Sequence, residues 1–220
     1  MPAVRVKICG VTTPDDIHAA VVAGADALGI NCYPHSPRFV PPALVPRLLA
    51  SVPALVDVVG VFAECTWTEA AALAWQLGIG TVQLHAYQHT PADIRPLRSV
   101  PAFRVCEASD LHTITAYLDQ CRLAGWCPAA VLLDAHAPGL FGGTGQTLPW
   151  ELVAGFAPGV PIILAGGLTP QNVARAVAVV QPFAVDVASG VESAPGRKDP
   201  ERMRAFVAAA KSVPVGPAHR

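Results

Sequence analysis

Eight short runs rich in β-branched residues alternate along the chain with eight stretches of helical length, and this alternation constrains the fold more than any other feature. The strand-like runs are 4–9, 27–31, 57–62, 81–84, 102–105, 130–134, 161–165 and 184–187. Between and after them lie helix-like segments 14–23, 42–51, 67–77, 91–97, 110–124, 149–156, 170–179 and 200–211. Strict alternation of this kind implies parallel strands joined by right-handed crossovers. An eightfold repeat favours a closed α/β barrel, (β/α)8, over an open doubly wound sheet. Spread over eight units, 220 residues leave roughly 27 per βα unit, close to the ~30 of a βαβ building block. No shift in composition breaks the series, so residues 1–213 read as one domain and 214–220 as a frayed tail.

Local chemistry supports the helix starts. Thr13-Pro14, Thr90-Pro91, Thr169-Pro170 and Asp199-Pro200 each place a capping side chain before a proline, which suits the first helical position because its missing N–H would be unpaired there. With 52% apolar and 14% charged residues the chain is no disordered segment, and a net charge of -1 lacks the basic footprint of a nucleic-acid binder. The six cysteines are scattered and form no CxxC pair, and the seven histidines show no metal-ligand spacing. They read as reduced cysteines of a cytoplasmic protein, mostly small core residues. The N-terminal segment turns polar by Thr12–Asp16 and is read as no signal peptide; no uninterrupted apolar stretch approaches the ~18 residues of a membrane span.

In a barrel of this class the active site is built at the C-terminal ends of the strands. On the first strand, alternation turns Val4, Val6 and Ile8 toward the helices and Arg5, Lys7 and Cys9 into the barrel, with Cys9 at the mouth. Cys9 is either a buried structural cysteine or a thiol whose pKa the Lys7 ammonium lowers toward neutrality. Asp134 closes an apolar strand; it is a cap for the following loop or a general acid whose pKa desolvation raises. Arg38, on the proline-stiffened Tyr33–Phe39 loop, is a solvated charge or a bidentate grip on a carboxylate. His85 shares a face with Gln83 and is a structural histidine or a substrate contact; Asp186 either anchors a loop or contacts substrate hydroxyls. Small-residue clusters recur at Gly142-Gly143-Thr144-Gly145, Ala165-Gly166-Gly167 and Ser189-Gly190-Val191. The last two follow the seventh and eighth strands, where such barrels bind phosphate through backbone N–H groups. There is no Walker-type loop and no GxGxxG after the first strand, so nucleotides are disfavoured.

Taken in order, these pieces resemble the phosphoribosylanthranilate isomerase family. The resemblance rests on Val6-Lys-Ile-Cys-Gly10, Tyr33-Pro34 with Ser36-Pro-Arg38, Gly60-Val-Phe62, Val82-Gln-Leu-His85, and Leu133-Asp134 with Gly142-Gly-Thr-Gly145. It continues through Leu164-Ala-Gly-Gly-Leu168-Thr-Pro-Gln-Asn172, Pro182-Phe-Ala-Val-Asp186-Val, Ser189-Gly-Val-Glu192 and Pro195-Gly-Arg-Lys-Asp199. It implies a (β/α)8 barrel, monomeric or homodimeric, that needs no metal or organic cofactor. The implied partner is a small phosphorylated sugar–anthranilate, with neither nucleic acid nor membrane. The implied reaction is an Amadori rearrangement in tryptophan biosynthesis. Cys9 resembles the family's general base, Asp134 its general acid and Arg38 its ligand for the anthranilate carboxylate. The Gly166 and Gly190 loops resemble its phosphate cradle, and His85, Asp186, Gly143, Gly167 and Ser189 are the further expected contacts. Three positions depart from the family pattern: Ala86, Ala188 and the pair Asn31-Cys32. Another sugar-phosphate barrel enzyme, an isomerase, lyase or condensing enzyme, is a competing reading. It wants a Schiff-base lysine at a strand end or a metal-binding acid cluster; no such cluster is evident and the chain offers only Lys7 before Arg197-Lys198. A non-catalytic sugar-phosphate sensor is another.

Overall fold

Alternation along the first strand sorts its side chains into two environments. The computed structural model, which describes residues 3–85, 90–134 and 150–216, places them as the pattern predicts. In β1 (Arg5–Cys9) Val6 and Ile8 are fully buried in the layer between sheet and helices, while Lys7 and Cys9 turn into the barrel. Arg5 remains exposed at the lower end, its guanidinium 5.4 Å from the centre of the Phe183 ring.

Parallel strands follow in strict chain order: β2 (Ala27–Asn31), β3 (Asp57–Ala63), β4 (Thr81–His85), β5 (Arg98–Arg104), β6 (Val131–Asp134), β7 (Ile162–Ala165) and β8 (Ala184–Val187). β8 pairs back onto β1, closing the barrel and placing Lys7 beside Asp186 in the register. Closure leaves these strands no edge for another chain to pair with. Between them run α1 (Pro14–Ala23), α2 (Val45–Leu49, entered through a short 3-10 turn at Pro42–Leu44), α3 (Trp67–Leu77), α4 (Ala108–Leu123), α5 (Trp150–Val153) and α6 (Val173–Val180). A small antiparallel hairpin, β9 (Glu192–Ala194) and β10 (Arg197–Lys198), follows β8 and leads into α7 (Pro200–Lys211).

The caps explain where several helices begin. Thr13 Oγ1 accepts a hydrogen bond from Asp16 N at 3.1 Å, and the Asp16 carboxylate accepts one from Thr13 N. Asp199 accepts from the amides of Glu201 and Arg202, with Pro200 in the first turn. Thr66 and Glu69 form a reciprocal cap on α3. Each cap satisfies amides that the helix itself leaves unpaired.

Two of the four expected proline starts are corrected. Residues 90–97 carry no helix. Pro96 has no N–H and disfavours helical backbone at Arg95, while the Asp93 carboxylate accepts from Arg95 N in a local turn. The described residues therefore hold seven α-helices rather than the expected eight, with none among them between β4 and β5. At Thr169-Pro170 the helix begins only at Val173, because the Asn172 side chain turns back to accept from Thr169 N. β5 also starts earlier than expected, at Arg98, and passes through Pro101. The expected tail begins inside the packed fold: Ala3 bridges Pro214, Val215 is buried, and Gly216 N donates to Gln181 Oε1.

The barrel interior divides by chemistry. Val100, Ala102, Ala130, Leu132 and Ala165 form an apolar cluster on the β5–β7 side. Lys7, Thr81, Gln83 and Asp186 are buried on the other strands. Among the described residues no helix is long and apolar enough to cross a membrane.

Candidate active site

Strand ends and the loops after them enclose a cavity of about 480 Å³ at the C-terminal mouth of the barrel. Every expected site residue among those described lies on its wall: Cys9, Arg38, His85, Asp134, Asp186, Gly166, Gly167, Ser189 and Gly190. Gly143 lies outside the described residues, as does Ala86.

Cys9 ends β1 and is 7% exposed. Its room is made by the neighbouring strand, since a β-carbon on Gly29 would lie 2.9 Å from Cys9 Sγ and 3.1 Å from Lys7 Nζ. Glycine on β2 thus lets a thiol and an ammonium share the barrel's inner face. The electrostatics differ from the sequence expectation. Burial pushes the Cys9 thiol up from its ordinary value; Lys7 pulls it down, but less than burial raises it, and Asp186 adds to the rise. Lys7 Nζ donates to Asp186 Oδ1 at 2.9 Å, so much of its charge is already spoken for. Burial would lower Lys7's own pKa, yet Asp186 and Cys9 together hold it above the ordinary lysine value. Lys7 is therefore an ammonium, and Cys9 rests as a thiol with a cation beside it.

His85, at the end of β4, lies with Nε2 2.8 Å from Gln83 Nε2. The two side chains are hydrogen-bonded to each other on one face of β4. Burial lowers the His85 pKa, with Asp134 acting in the opposite sense, and the ring is neutral near pH 7. Gln83 is 1% exposed, and its Oε1 has no hydrogen-bond partner among the described residues. Asp134 ends β6 half-buried, on the same cavity wall as His85.

Arg38 stands on the loop after β2. Ser36 shapes that loop: its hydroxyl accepts from Arg38 N at 3.1 Å and its carbonyl from Phe39 N at 3.0 Å. The guanidinium is not a solvated charge. Nε and Nη2 each donate to the Glu192 carboxylate at 2.7 Å, while the side chain still reaches the cavity. Glu192 also receives Lys198 Nζ at 2.8 Å, and Lys198 donates to the Ala188 carbonyl at 3.0 Å. Burial works against a charged Glu192, but the hydrogen bonds from Arg38 and Lys198 outweigh it and hold the carboxyl below its ordinary value.

The loops after β7 and β8 meet closely. A β-carbon on Gly190 would lie 1.9 Å from the Leu168 carbonyl oxygen, so only glycine allows the two backbones to approach. Gly166 and Gly167 have φ of +92° and +63°, in the left-handed region. Of the departures from the family pattern, Ala188 and Asn31 line the cavity, whereas Cys32 packs into the outer core. Asn31 Oδ1 accepts from Tyr33 N at 2.9 Å and helps turn the Arg38 loop.

The sequence reading did not single out Gly29, Glu192 or Lys198 for the site. Only the packing reveals Gly29. An acid and a base flanking a glycine turn, as in Glu192 to Lys198, signal a hairpin pair, but nothing local links that pair to an arginine 154 residues away.

The sequence model of the family described as N-(5'phosphoribosyl)anthranilate (PRA) isomerase matches residues 6–209. The chain is 44% identical over 216 residues to the N-(5'-phosphoribosyl)anthranilate isomerase of Magnetococcus marinus, covering 97% of this chain and 98% of that protein. It is 45% identical over 215 residues to the enzyme of the same name from Myxococcus xanthus, covering 96% and 98%. Its fold is similar to the crystal structure of phosphoribosyl anthranilate isomerase from Thermotoga maritima, with a TM-score of 0.82, 34% identity, and coverage of 96% and 100%. A further similar structure, TM-score 0.80 at 32% identity over 96% of this chain and 100% of that one, is of such an isomerase in complex with reduced 1-(o-carboxyphenylamino)-1-deoxyribulose 5-phosphate. On this evidence the chain belongs to the phosphoribosylanthranilate isomerase family.

Proposed function

We propose that the cavity rearranges N-(5-phosphoribosyl)anthranilate to 1-(2-carboxyphenylamino)-1-deoxyribulose 5-phosphate with Cys9 as general base and Asp134 as general acid. Family membership makes the chain an isomerase of tryptophan biosynthesis; the assignment of roles rests on the cavity. The observation that carries it is that a thiol from β1 and a carboxyl from β6 line one cavity.

Opening the ribose requires a proton on the ring oxygen, which Asp134 supplies as general acid while the C1–O bond breaks and the nitrogen lone pair forms the Schiff base. The iminium acidifies the C2 hydrogen. Cys9 thiolate removes that proton, and the electron pair of the C–H bond moves into the enolamine, which tautomerises to the ketone. The reaction needs no electron sink beyond the substrate's own iminium. Burial makes the thiolate a strong base, and the Lys7 ammonium stabilises its charge in the dry pocket.

The two ends of the substrate match two anion sites. Arg38 presents a fixed guanidinium for the anthranilate carboxylate. The glycine-bearing loops around Gly166, Gly167, Ser189 and Gly190 offer backbone N–H groups to the phosphate. His85 and Asp186 line the same cavity and are read as contacts for the ribose. A lyase reading loses ground because Lys7 is held charged by Asp186, and a Schiff-base lysine must be a free amine. The reaction calls for a reduced Cys9, which fits a single-domain cytoplasmic enzyme acting on a small phosphorylated substrate.

The test is turnover of substrate generated in situ, followed by the loss of its fluorescence. Cys9→Ala and Asp134→Asn are each expected to lower kcat by about 10²–10⁴-fold, the range for one general acid or base. Normal turnover in either variant would overturn the roles.

A further inference from the structure

We propose that Glu192 is a positioning residue: it fixes the Arg38 guanidinium for the substrate's carboxylate, and Lys198 keeps that guanidinium effectively cationic. The inference rests on the reading of Arg38 as the carboxylate ligand.

An arginine on a loop ordinarily samples many rotamers, and a carboxylate clamp selects one of them. Here the clamp is bidentate, with Nε on Oε1 and Nη2 on Oε2. That leaves Nη1 without a hydrogen bond among the described residues, on a side chain that lines the cavity. Glu192 is itself held firmly. Its side chain is 3% exposed, Gly196 N donates to Oε2, and Arg202 Nη1 donates to its backbone carbonyl.

Two glycines make the arrangement possible. A β-carbon on Gly10 would lie 2.4 Å from Arg38 Cδ, and one on Gly196 would lie 2.5 Å from the Pro37 carbonyl oxygen. Both have φ near the left-handed region's centre, +77° and +76°. Gly10, just after β1, thus leaves room for the Arg38 side chain, and Gly196 lets the hairpin carrying Glu192 come up against the backbone of the Arg38 loop.

A lone Arg–Glu pair would be neutral and a poor attractor of anions. Lys198, with a fully buried side chain, shares the same carboxylate. Burial lowers its pKa and Glu192 opposes that fall, and as an ammonium it gives the three groups a net single positive charge. Its second bond, to the Ala188 carbonyl, fixes the residue just before Ser189. One carboxylate therefore braces the Arg38 cation directly and, through Lys198, the entry to the glycine loop.

The experiment compares two unreactive product analogues, one with the 2-carboxyphenylamino group and one with a plain phenylamino group. The ratio of their inhibition constants reports carboxylate recognition. The double variant Glu192→Gln/Lys198→Met removes one charge of each sign and keeps the packing volume. It is expected to reduce that ratio about tenfold or more, the scale of a lost charge-assisted contact. The plain analogue should weaken by a smaller factor, through the lost Lys198 bond to the Ala188 carbonyl, and KM should change more than kcat; a merely structural role would weaken both analogues by the same factor. Should the double variant fail to fold, Glu192→Asp, which keeps the charge on a shorter arm, carries the same comparison. A parallel Arg38→Ala variant separates the two readings. If Arg38→Ala leaves the ratio unchanged, the reading of Arg38 falls and the inference with it. If Arg38→Ala collapses the ratio but the Glu192 variants preserve it, the inference alone is overturned.

Discussion

Lys7 Nζ and Asp186 Oδ1 lie 2.9 Å apart across the β1–β8 seam, both buried, and they close the barrel where its two ends meet. The pair sits directly below the Cys9 thiol and sets the charge that thiol experiences. Removing one partner leaves an uncompensated buried charge, which costs about 3–5 kcal/mol. Asp186→Ala should therefore lower the unfolding free energy by that amount in urea titrations. Replacing both members by apolar residues, as in Lys7→Met/Asp186→Leu, should recover most of it, because no buried charge remains.

The pH profile follows from the raised thiol. Burial moves the Cys9 pKa upward, so the thiolate fraction, and with it kcat/KM, should increase with pH on the alkaline side of neutrality. Lys7 is the largest influence pulling the thiol down, and Asp186 pushes it up. Lys7→Met removes the first and leaves the second opposed only by the weaker pull of Lys198. The rising limb of kcat/KM should accordingly shift to higher pH in that variant, measured by steady-state rates across buffers of constant ionic strength. A limb that stays put or moves downward would contradict the role of Lys7.

Gly29 has no chemistry of its own, yet the thiol depends on it. In Gly29→Ala the new methyl would lie 2.9 Å from Sγ and 3.0 Å from the Cys9 α-carbon. The thiol must move, and a displacement near 1 Å can cost about 10²-fold in rate. Overpacking should cost about 1–3 kcal/mol of stability. Turnover and thermal unfolding, measured on the same sample, should both fall.

The meeting of the β7 and β8 loops predicts a different defect. Gly190→Ala would place a methyl 1.9 Å from the Leu168 carbonyl oxygen, and two backbones cannot relieve that contact without separating. If these loops bind phosphate, the hydrogen bonds lost should cost about 1.5–3 kcal/mol. Inhibition by inorganic phosphate should weaken roughly tenfold or more. Cys9 and Asp134 are carried by other strands, so saturating rates should suffer less than affinity.

Much of the molecule was legible in the sequence, because strands and helices are written in local pattern. β2 and β8 span the expected residues, and so do α1, α3 and α7, whose Thr13, Thr66 and Asp199 caps act on amides within a few positions. The inward placement of Lys7 and Cys9 followed from alternation alone. Where local signals compete, the pattern misled. Thr90-Pro91 looks like a helix start, but Pro96 lies too near for a helix to propagate past it.

The sequence by itself determined the order of elements, the barrel class and the residue types gathered at the mouth. Tertiary structure alone decided how those residues are charged and held. Lys7 was expected to draw the Cys9 thiol toward neutrality; instead it is paired with a carboxylate 179 residues away, and burial dominates the thiol. Arg38 finds its clamp 154 residues further on, in a hairpin that Gly196 allows to come close. Desolvation and pairing depend on what the closed barrel brings together in space, and residues that far apart leave no periodic or local trace of their contact.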